Sequence, residues 1–479
     1  MPRTKVALIG AAAELAPAFA QVRAALHVSP EFDPAVQAEA EAAANAWRSA
    51  AHVAGVRTDL TAIEFVTVDP PGSTDLDQAV QIERNAAGYR VRYAIADVPA
   101  FVAPGGALDR ETHTRATTVY CPDLRVPLHP PVLSEHAASL SPDQDRPAFV
   151  WTLDLDADGV LVSTTLQRAV VRSKAQLDYP GVQQDLAAAG GKGDSLPVLL
   201  HEVGRLRTAQ EIARGGVSLG RPEQDVVARD GGWALEFRAP LPIEGDNAQI
   251  SLLTGMAAAQ IMLAGRIGVL RTMPPADPRD LQRLRNQARA LHIRWPDGAS
   301  YGDVIRGLDS SHPNAAAFLS HATMLFRGAA WVGFNGEPPT LTTHSAIAAP
   351  YAHVTAPLRR LVDRYALAAC LALHEGREVP SWVTDALPLL GAEMGAGARL
   401  AAEVERQCTD RVEAAVLESH LGETFDGVAL AADTVQLEEP AVVARCSGAA
   451  LKPGDQVKVT LRVAEVATGS VRFEATPRR

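Results

Sequence analysis

The sequence lacks clustered cysteines, a surplus of basic residues and long apolar runs, and each absence argues against a class of protein. The four cysteines among its 479 residues are far apart and form no C-x-x-C pair, which argues against a disulfide framework or a zinc site. A net charge of −11 argues against simple surface binding of nucleic acid, although a channel with local arginines stays open. Without an apolar run long enough to span a bilayer, the sequence predicts a globular cytoplasmic protein with no membrane contact.

Hydrophobic patterning divides the chain into three regions. Residues 1–60 have apolar residues at helical spacing and an Asp-Pro helix start, so we expect a small helical region there. Residues 61–415 begin with short β-type runs and continue with helical patterns at 247–295 and 300–420. Residues 416–479 hold five short runs with a period of two, which predict a small closed barrel such as an OB-fold. The expected fold class is therefore α+β.

The segment VDPPGSTDLDQAV, residues 68–80, concentrates acidic residues in an apolar, strand-like setting. Asp75 and Asp77 alternate with Leu76 and share one face of an extended segment, and a Pro-Pro-Gly turn can fold Asp69 back toward them. Clustered carboxylates repel each other unless a cation neutralises them, and such hard ligands suit Mg²⁺ or Mn²⁺. Metal-assisted hydrolysis of a phosphodiester fits this site. A solvated acidic turn explains the same residues as well, because D-x-D is a weak motif.

Candidates for the rest of such a site are scattered through the chain. Tyr120 lies between β-type residues, where a tyrosine either packs in a core or stacks on a nucleic-acid base beside a metal site. Arg359 and Arg360 stand at the opening of a helix and can clamp a phosphate, whereas an ion pair with Asp363 is the alternative. Glu405 belongs to a charge-rich helical stretch, for which a solvated face is the default interpretation.

Two further features that superficially match metal sites favour structural roles. DLDADG, residues 154–159, begins like a calcium loop, but its twelfth position is Thr165 instead of glutamate and its flanks are strand-like. We therefore expect a hairpin turn there. His353 is a candidate ligand, but a core histidine with satisfied hydrogen bonds is the favoured interpretation.

Several ordered segments together resemble the ribonuclease II (RNB) family of 3′→5′ exoribonucleases. They cover roughly residues 61–415 and read DPPGSTDLDQAV, YAIADVPAFVAPGGALDRETHTRATTVYCPD, VPLHPPVLSEHAASLSPDQDRPAF, YAHVTAPLRRLVD and VERQ. The resemblance implies an RNB catalytic domain at 61–415, a β-sheet core wrapped by helices, followed by an OB-fold RNA-binding domain at 416–479. It implies an enzyme that degrades single-stranded RNA processively to nucleoside 5′-monophosphates by metal-dependent hydrolysis. A channel enzyme of this size can work as a monomer, so a monomer is expected. Helical residues 1–60 stand where the family usually has cold-shock barrels.

The resemblance also assigns roles to individual residues. Arg359 contacts the scissile phosphate with Arg360 beside it, Tyr120 stacks on the terminal nucleotide, and Glu405 lies near the last nucleotide. The implied catalytic and metal-binding residues, with Mg²⁺ or Mn²⁺ as the ion, are Asp69, Asp75, Asp77 and, as a further metal ligand, Gln78.

Gln78 is the point at which the sequence departs from the family pattern, which has a fourth aspartate there. An amide oxygen can bind a metal, but it brings no charge and cannot act as a base. Asp97 is an acid that could compensate, although a structural role is its default interpretation. Two hypotheses therefore stay open: an active exoribonuclease, or an RNA-binding member of the family with impaired catalysis.

Overall fold

The N-terminal region forms helices in a computed structural model that describes residues 12–49, 57–219, 223–229, 232–309, 312–437, 439–448 and 450–475. Residues 1–11 and 50–56 of the expected helical region lie outside the described residues. As the Asp-Pro pair predicts, Asp33 caps the second helix, and its Oδ1 accepts the N–H of Ala35 at 2.8 Å. The two helices are α1 (Ala12–Ala25) and α2 (Pro34–Ser49).

The central sheet contains both parallel and antiparallel strand pairs. Its longest strand, β8 (Leu161–Asp178), pairs with β7 through its first part and with β2 through its last part. The pairing with β7 is antiparallel and the pairing with β2 is parallel, and the strand order is β1-β8-β2-β3-β4-β7. The elements of this region are β1 (Thr58–Asp59), β2 (Phe65–Asp69), β3 (Gln78–Asn85), β4 (Gly88–Ala96), α3 (Ala107–Arg115), β5 (Val119–Tyr120), β6 (Arg125–Val126), β7 (Asp145–Asp156) and β8 (Leu161–Asp178). Short 3₁₀ or π turns lie at Val98–Ala100 and Val132–Ala137.

Helices pack against this sheet and form the largest core. Buried residues of β4 and β7, such as Tyr93 and Trp151, share one cluster with buried residues of the helices α5, α6 and α10. The elements are α4 (Tyr179–Ala188), α5 (Leu196–Ala213), β9 (Glu223–Arg229), β10 (Gly232–Arg238), α6 (Pro242–Gly265), β11 (Ile267–Thr272), α7 (Pro278–Ala290), α8 (Tyr301–Arg306), α9 (Pro313–Ala322), β12 (Ala330–Asn335), β13 (Thr343–His344), β14 (Ala349–Pro350), α10 (Leu361–His374) and α11 (Ser381–Leu417). Further 3₁₀ turns are Thr323–Leu325 and Glu418–His420.

The helical pattern expected over residues 247–295 was wrong in one place, whereas helices dominate residues 300–420 as expected. Within 247–295, the helix α6 ends at Arg266, whose φ of +59° is left-handed, and the next residues form β11. Within 300–420, three short strands interrupt the helices. β11 pairs with β12 across more than fifty residues of chain, so local periodicity could not indicate it.

The helix α6 also corrects the expectation that no segment is long and apolar enough for a bilayer. By length and composition it could cross a membrane, and within the described ranges it is the one helix that passes this test. However, 56% of its apolar window is buried inside the protein, and it packs against α5 and α10. Core helices pass the same test, so this feature is weak evidence for a membrane span.

The C-terminal strands form the five-stranded closed barrel that the period of two predicted. Its order is β15-β16-β17-β19-β18. Its core continues into α1 and α11, because Phe19, Cys408 and Phe473 belong to one buried cluster. The strands are β15 (Thr424–Ala431), β16 (Thr434–Leu437), β17 (Val443–Gly448), β18 (Gln456–Glu465) and β19 (Ser470–Ala475).

A buried carboxylate, Glu413 of α11, connects the barrel to the rest of the chain. Its Oε1 accepts hydrogen bonds from the Val443 N–H at 3.1 Å and from Nε2 of Gln224 at 2.8 Å. Burial raises the pKa of Glu413 from 4.5 to about 7, against the effect of these bonds, and the charge of Asp410 adds to the increase. The folded protein therefore keeps a proton that the unfolded chain loses at lower pH. This contribution to stability is complete below the unfolded pKa and is lost as pH rises through about 7.

Glu413→Gln should flatten the decline in unfolding free energy between about pH 5 and pH 8, because the amide never ionises. At pH 8 we expect the free energy of unfolding of the variant to exceed that of the unsubstituted protein by on the order of 1–3 kcal/mol. Urea unfolding at both pH values measures this difference. Glu418→Gln, an exposed residue near the end of the same helix, is the matched control. An unaltered pH dependence in Glu413→Gln would contradict the assignment.

Candidate active site

The acidic loop, residues 70–77, connects β2 to β3 and brings the predicted carboxylates together. Asp69 is the last residue of β2, and Gln78 is the first residue of β3. Between Asp75 and Asp77, Leu76 is 1% exposed and anchors the loop in the core. Its N–H donates to Oγ of Ser139 at 3.0 Å, and its carbonyl accepts the Leu140 N–H at 2.9 Å. The alternating pattern Asp75-Leu76-Asp77 thus places the apolar residue in the core between two acidic residues. The segment is nevertheless a loop and not a strand.

Asp77 is the most enclosed of the three carboxylates, at 1% exposed. Its Oδ1 accepts the Leu358 N–H at 2.7 Å, and its Oδ2 accepts Nε–H of Arg359 at 2.8 Å. Burial raises the pKa of Asp77 to about 7, while the charge of Arg359 opposes that increase. Arg359 is held in turn by its own carbonyl, which accepts from the Thr118 N–H and Thr117 Oγ1, both at 2.9 Å.

Asp69 and Asp75 complete the cluster in different ways. Asp75 forms an ion pair with Arg125. The buried Oδ2 of Asp69 has no hydrogen-bond partner among the described residues. Burial raises the pKa of Asp69 to about 6, the charge of Arg359 lowers it, and the charge of Asp75 raises it further. The cluster therefore has more buried negative charge than its arginines neutralise.

The donor set fits a hard divalent cation in its chemistry, because it offers buried carboxylate oxygens with raised pKa values and one oxygen without a partner. It is not a preformed cage. Within the described ranges, no three His, Cys, Asp or Glu side chains are arranged as a ready metal-binding group. The ion pairs of Asp75 and Asp77 with arginines explain this, since each carboxylate already faces a cation.

An open cleft of about 550 Å³ lies over these residues. Tyr120 stands on its wall and is 50% exposed. Local burial raises the pKa of the Tyr120 phenol to about 12, with Arg359 opposing the increase and the carboxylates of Asp75 and Asp77 adding to it. The cleft thus combines carboxylates, a guanidinium and an exposed aromatic ring. Its lining includes Asp69, Asp75, Tyr120, Cys121, Arg125 and Arg359.

Arg360 and Glu405 lie outside the lining of this cleft. Arg360 donates two hydrogen bonds of 2.8 Å to the fully buried Asp363, so the ion pair that the sequence left open as an alternative is present. Asp363 also accepts the Ala356 N–H at 2.7 Å, so this pair braces the loop that presents Arg359. Glu405 is an exposed residue of α11. Substrate-binding roles for Arg360 and Glu405 stay predictions.

Asp97 does not compensate for Gln78. It is fully buried and forms ion pairs with Arg57 at 2.5 Å and Arg168 at 2.7 Å, which leaves it a structural role. His353 is also structural, as expected. Its Nδ1 accepts Nε1–H of Trp331 at 3.0 Å, and burial holds its pKa well below the usual range.

DLDADG forms the expected hairpin turn between β7 and β8. Oδ1 of Asp156 accepts the N–H groups of Asp158 at 3.0 Å and Val160 at 2.8 Å. The carboxylate of Asp156 therefore stabilises the turn, which is a structural role.

The amide of Gln78 is engaged at both ends. Its Nε2 donates to the carbonyl of Thr355, and its Oε1 accepts the Tyr93 hydroxyl at 3.3 Å. The Tyr93 hydroxyl also lies 2.9 Å from Oγ of Ser251 on α6. Gln78 therefore ties the start of β3 to the loop that carries Arg359. An aspartate cannot make the first of these bonds, because an ionised carboxylate has no hydrogen to donate.

Arg125 is a cleft residue that sequence reasoning missed. Besides its ion pair with Asp75, its Nη2 donates to Thr74 Oγ1 at 2.6 Å and to Glu135 at 2.8 Å. The sequence feature that could have indicated Arg125 is its place in a β-type run five residues after Tyr120. Its relation to the acidic loop depends on a contact between residues fifty positions apart.

Comparison with known proteins settles the family. A model of the RNB domain matches residues 57–372, and a model of the RNase II-type exonuclease C-terminal S1 domain matches residues 423–476. The chain belongs to the RNB family. The family assignment made from the sequence is thus confirmed, and the C-terminal barrel of this RNB protein is its S1 domain.

Relatives of this RNB protein include one named as a ribonuclease and one named as an inactive exonuclease. Ribonuclease R of Vibrio cholerae is 26% identical over 404 residues, which are 78% of this chain and 48% of that protein. The inactive exonuclease DIS3L2 of Arabidopsis thaliana is 27% identical over 367 residues, which are 67% of this chain and 33% of that protein. The RNB chain thus spans about half the length of the first relative and a third of the second.

Solved structures support the fold of this RNB protein. Mycoplasma genitalium RNase R in its apo form matches with a TM-score of 0.84 at 20% identity, over 98% of this chain and 79% of that one. The same RNase R in complex with ribose-methylated single-stranded RNA matches with a TM-score of 0.83 at 19% identity, over the same shares. At these identities the likeness establishes the fold alone.

Proposed function

We propose that this protein is a metal-dependent 3′→5′ exoribonuclease that degrades single-stranded RNA processively to nucleoside 5′-monophosphates. The observation that carries the proposal is the cleft in which Asp69 and Asp75 lie beside Arg359 and Tyr120, with the buried Asp77 paired to Arg359. Membership of the RNB family supports it. We also propose that the protein acts as a monomer in the cytoplasm.

The carboxylates would hold Mg²⁺ or Mn²⁺, which when bound lowers the pKa of water and stabilises charge on the phosphate. Asp69 is the natural first ligand, because its buried Oδ2 has no other partner among the described residues. Asp75 and Asp77 contribute their charge from within the same cluster. We assign Gln78 to holding the loop of Arg359 and not to the metal, because its amide is engaged at both ends.

Arg359 and Tyr120 would position the RNA. Arg359 is 40% exposed along its side chain and keeps donors beyond the one used by Asp77, so it can contact a phosphate while it stays paired. The half-exposed ring of Tyr120 offers a surface on which the terminal base stacks. Together they would place the last phosphodiester over the carboxylates.

The test is an assay with single-stranded RNA labelled along its whole length, and with 5′-labelled RNA in parallel, in the presence of Mg²⁺ or Mn²⁺, with and without EDTA. We expect nucleoside 5′-monophosphates as the product, stepwise loss from the 3′ end, and complete inhibition by EDTA. RNA that binds but yields no mononucleotide with any divalent ion would overturn the proposal.

The second candidate function is RNA binding without catalysis. The observation that favours it is Gln78, at the position of the family's fourth aspartate. The relative named an inactive exonuclease adds a precedent for a non-catalytic protein of this kind.

Gln78→Asp distinguishes the two functions. For an active enzyme we expect cleavage to fall roughly tenfold, because the buried carbonyl of Thr355 loses its donor and faces a negative charge, a change of about 1–3 kcal/mol. For a protein that lost catalysis through this position, activity should instead rise from zero. Gln81→Asp, on the same strand and outside the cleft, controls for the added charge and should leave the rate unchanged.

Exposed arginines on the barrel should contribute to RNA affinity. Arg445 and Arg472 are direct neighbours on β17 and β19, and neither forms an ion pair within the described part of the chain. Replacing both with alanine should weaken RNA binding and reduce the slope of log K against log salt by about 1.4, at roughly 0.7 per phosphate contact. Lys458→Ala is the control, since that lysine is already paired with Asp426. An unaltered slope in the double variant would remove this face from the RNA path.

These substitutions test the barrel better than its deletion. The barrel shares a buried cluster with α1 and α11, so its removal would expose that core and change stability as well as binding.

A further inference from the structure

A second cavity, of about 470 Å³, lies between the β7–β8 hairpin, α5 and α6. It shares no lining residue with the cleft over the acidic loop. Its wall combines cationic, amide and apolar side chains. Those that matter here are Leu161, Arg207, Gln210, Arg214, Met256 and Gln260.

Two guanidinium groups at this cavity are incompletely satisfied. Arg207 is 6% exposed, and its Nη1 donates to the carbonyl of Gly159 at 2.7 Å. Arg214 donates from Nε to the carbonyl of Ile347 at 2.7 Å. The buried Nε of Arg207 and the buried Nη2 of Arg214 have no hydrogen-bond partner among the described residues. Buried donors normally find partners, so this pair calls for an explanation.

The charge at the cavity is also unbalanced. Neither arginine forms an ion pair within the described ranges of the chain. Glu211 is the carboxylate close enough to favour their charged forms, but its oxygens accept from Gln249 at 2.6 Å and Ser218 at 3.3 Å. Burial lowers the pKa of Arg207 to about 10, and the charge of Arg214 adds to this decrease. A bound anion would offset this imbalance, because it would place a negative charge beside both guanidinium groups where they line the cavity.

We propose that this cavity binds a phosphate-bearing small molecule of mononucleotide size. The arginine pair matches a phosphate group, which guanidinium donors recognise through paired hydrogen bonds. Gln260 offers an exposed amide for the edge of a base, and Gln210 offers its Oε1, since its Nε2 donates to the carbonyl of Asp158 at 3.1 Å. Leu161 and Met256 offer an apolar wall for the face of the base. The volume falls in the range of about 300–1,000 Å³ that small-molecule sites occupy. The site is independent of the proposed catalytic function.

Calorimetry on the full chain tests the proposal, with AMP, inorganic phosphate and adenosine as separate probes and EDTA present. We expect AMP to bind at one site, at least about tenfold more tightly than phosphate or adenosine alone, since each of these lacks part of the complementary chemistry. The titrations contain no RNA and no divalent metal, so their outcome does not depend on whether the protein cleaves RNA.

Variants locate the binding. Arg214→Gln should weaken AMP binding about tenfold or more, as the loss of one charge-assisted contact implies. Gln260→Leu, at an exposed position that tolerates replacement, should weaken AMP binding and leave phosphate binding unchanged. Arg205→Gln, exposed on α5 and outside the cavity, is the matched control. Tyr120→Ala should leave AMP binding intact.

Three outcomes would overturn the proposal. One is the absence of AMP binding, and another is binding that Tyr120→Ala abolishes and Arg214→Gln does not change, which places the nucleotide in the catalytic cleft. The third is equal affinity for AMP and inorganic phosphate, which would reduce the cavity to a simple anion site.

Discussion

Asp77→Asn should lower the rate of RNA cleavage by at least about 10²-fold and leave RNA binding largely intact. Asparagine keeps the shape of the side chain and an acceptor for the Leu358 N–H. It removes the negative charge that pairs with Arg359 and that a divalent ion in the proposed site requires. We expect binding to persist because much of the affinity for RNA comes from phosphate-backbone contacts away from the reacting bond, to which the barrel arginines are proposed to contribute.

Single-turnover cleavage and a filter-binding measurement on the same preparation separate the two effects. Asp154→Asn is the matched control, because this aspartate of β7 is paired with Arg90 of β4 and lies outside the cleft. Cleavage by Asp77→Asn at the normal rate would remove the acidic loop from the mechanism.

Arg359→Ala is the second substitution with a large expected effect, a loss of about 10²–10³-fold in cleavage. The change removes the guanidinium that faces the cleft and leaves the carboxylate of Asp77 without its ion pair. Because the charge of Arg359 holds the pKa of Asp77 down, its loss should raise that pKa further above about 7. Arg359→Lys should recover part of the activity, since lysine restores the charge without the planar fork.

The pH dependence of the cleavage rate distinguishes an electrostatic role of Arg359 from a purely structural one, because a structural role would leave that dependence unchanged. We expect the acid limb of the profile to shift to higher pH in Arg359→Ala and to return toward normal in Arg359→Lys. Arg172→Ala is the control, since this arginine is paired with Asp145 on the sheet and does not line the cleft. Equal cleavage rates and pH–rate profiles in the unsubstituted protein, Arg359→Ala and Arg359→Lys would contradict the role of Arg359.

Local patterns predicted much of this molecule because their causes are local. The Asp-Pro start of α2, the hairpin at Asp156 and the alternating strands of the barrel each depend on residues close together in the chain. The family was within reach for a related reason, since ordered motifs at fixed spacing carry far more information than any one motif.

Long-range pairing explains what local patterns missed. β11 looked like a continuation of α6, because its partner β12 is distant in sequence. Asp97 was a candidate ligand until its two arginines, forty and seventy-one positions away, accounted for its charge. Arg125 was overlooked because its relation to Asp75 exists only after folding.

The order of residues alone was enough to establish an RNB chain with an acidic motif, a helical start and a closing barrel, because composition, spacing and period are properties of neighbours. The contact of the Gln78 amide with the carbonyl of Thr355 was set by folding, which joins residues 277 positions apart. Folding likewise set the charge of the cleft and brought Arg207 and Arg214 to the second cavity. Hydrogen bonds and pKa values depend on which groups share a low-dielectric space, and only the packed chain determines that.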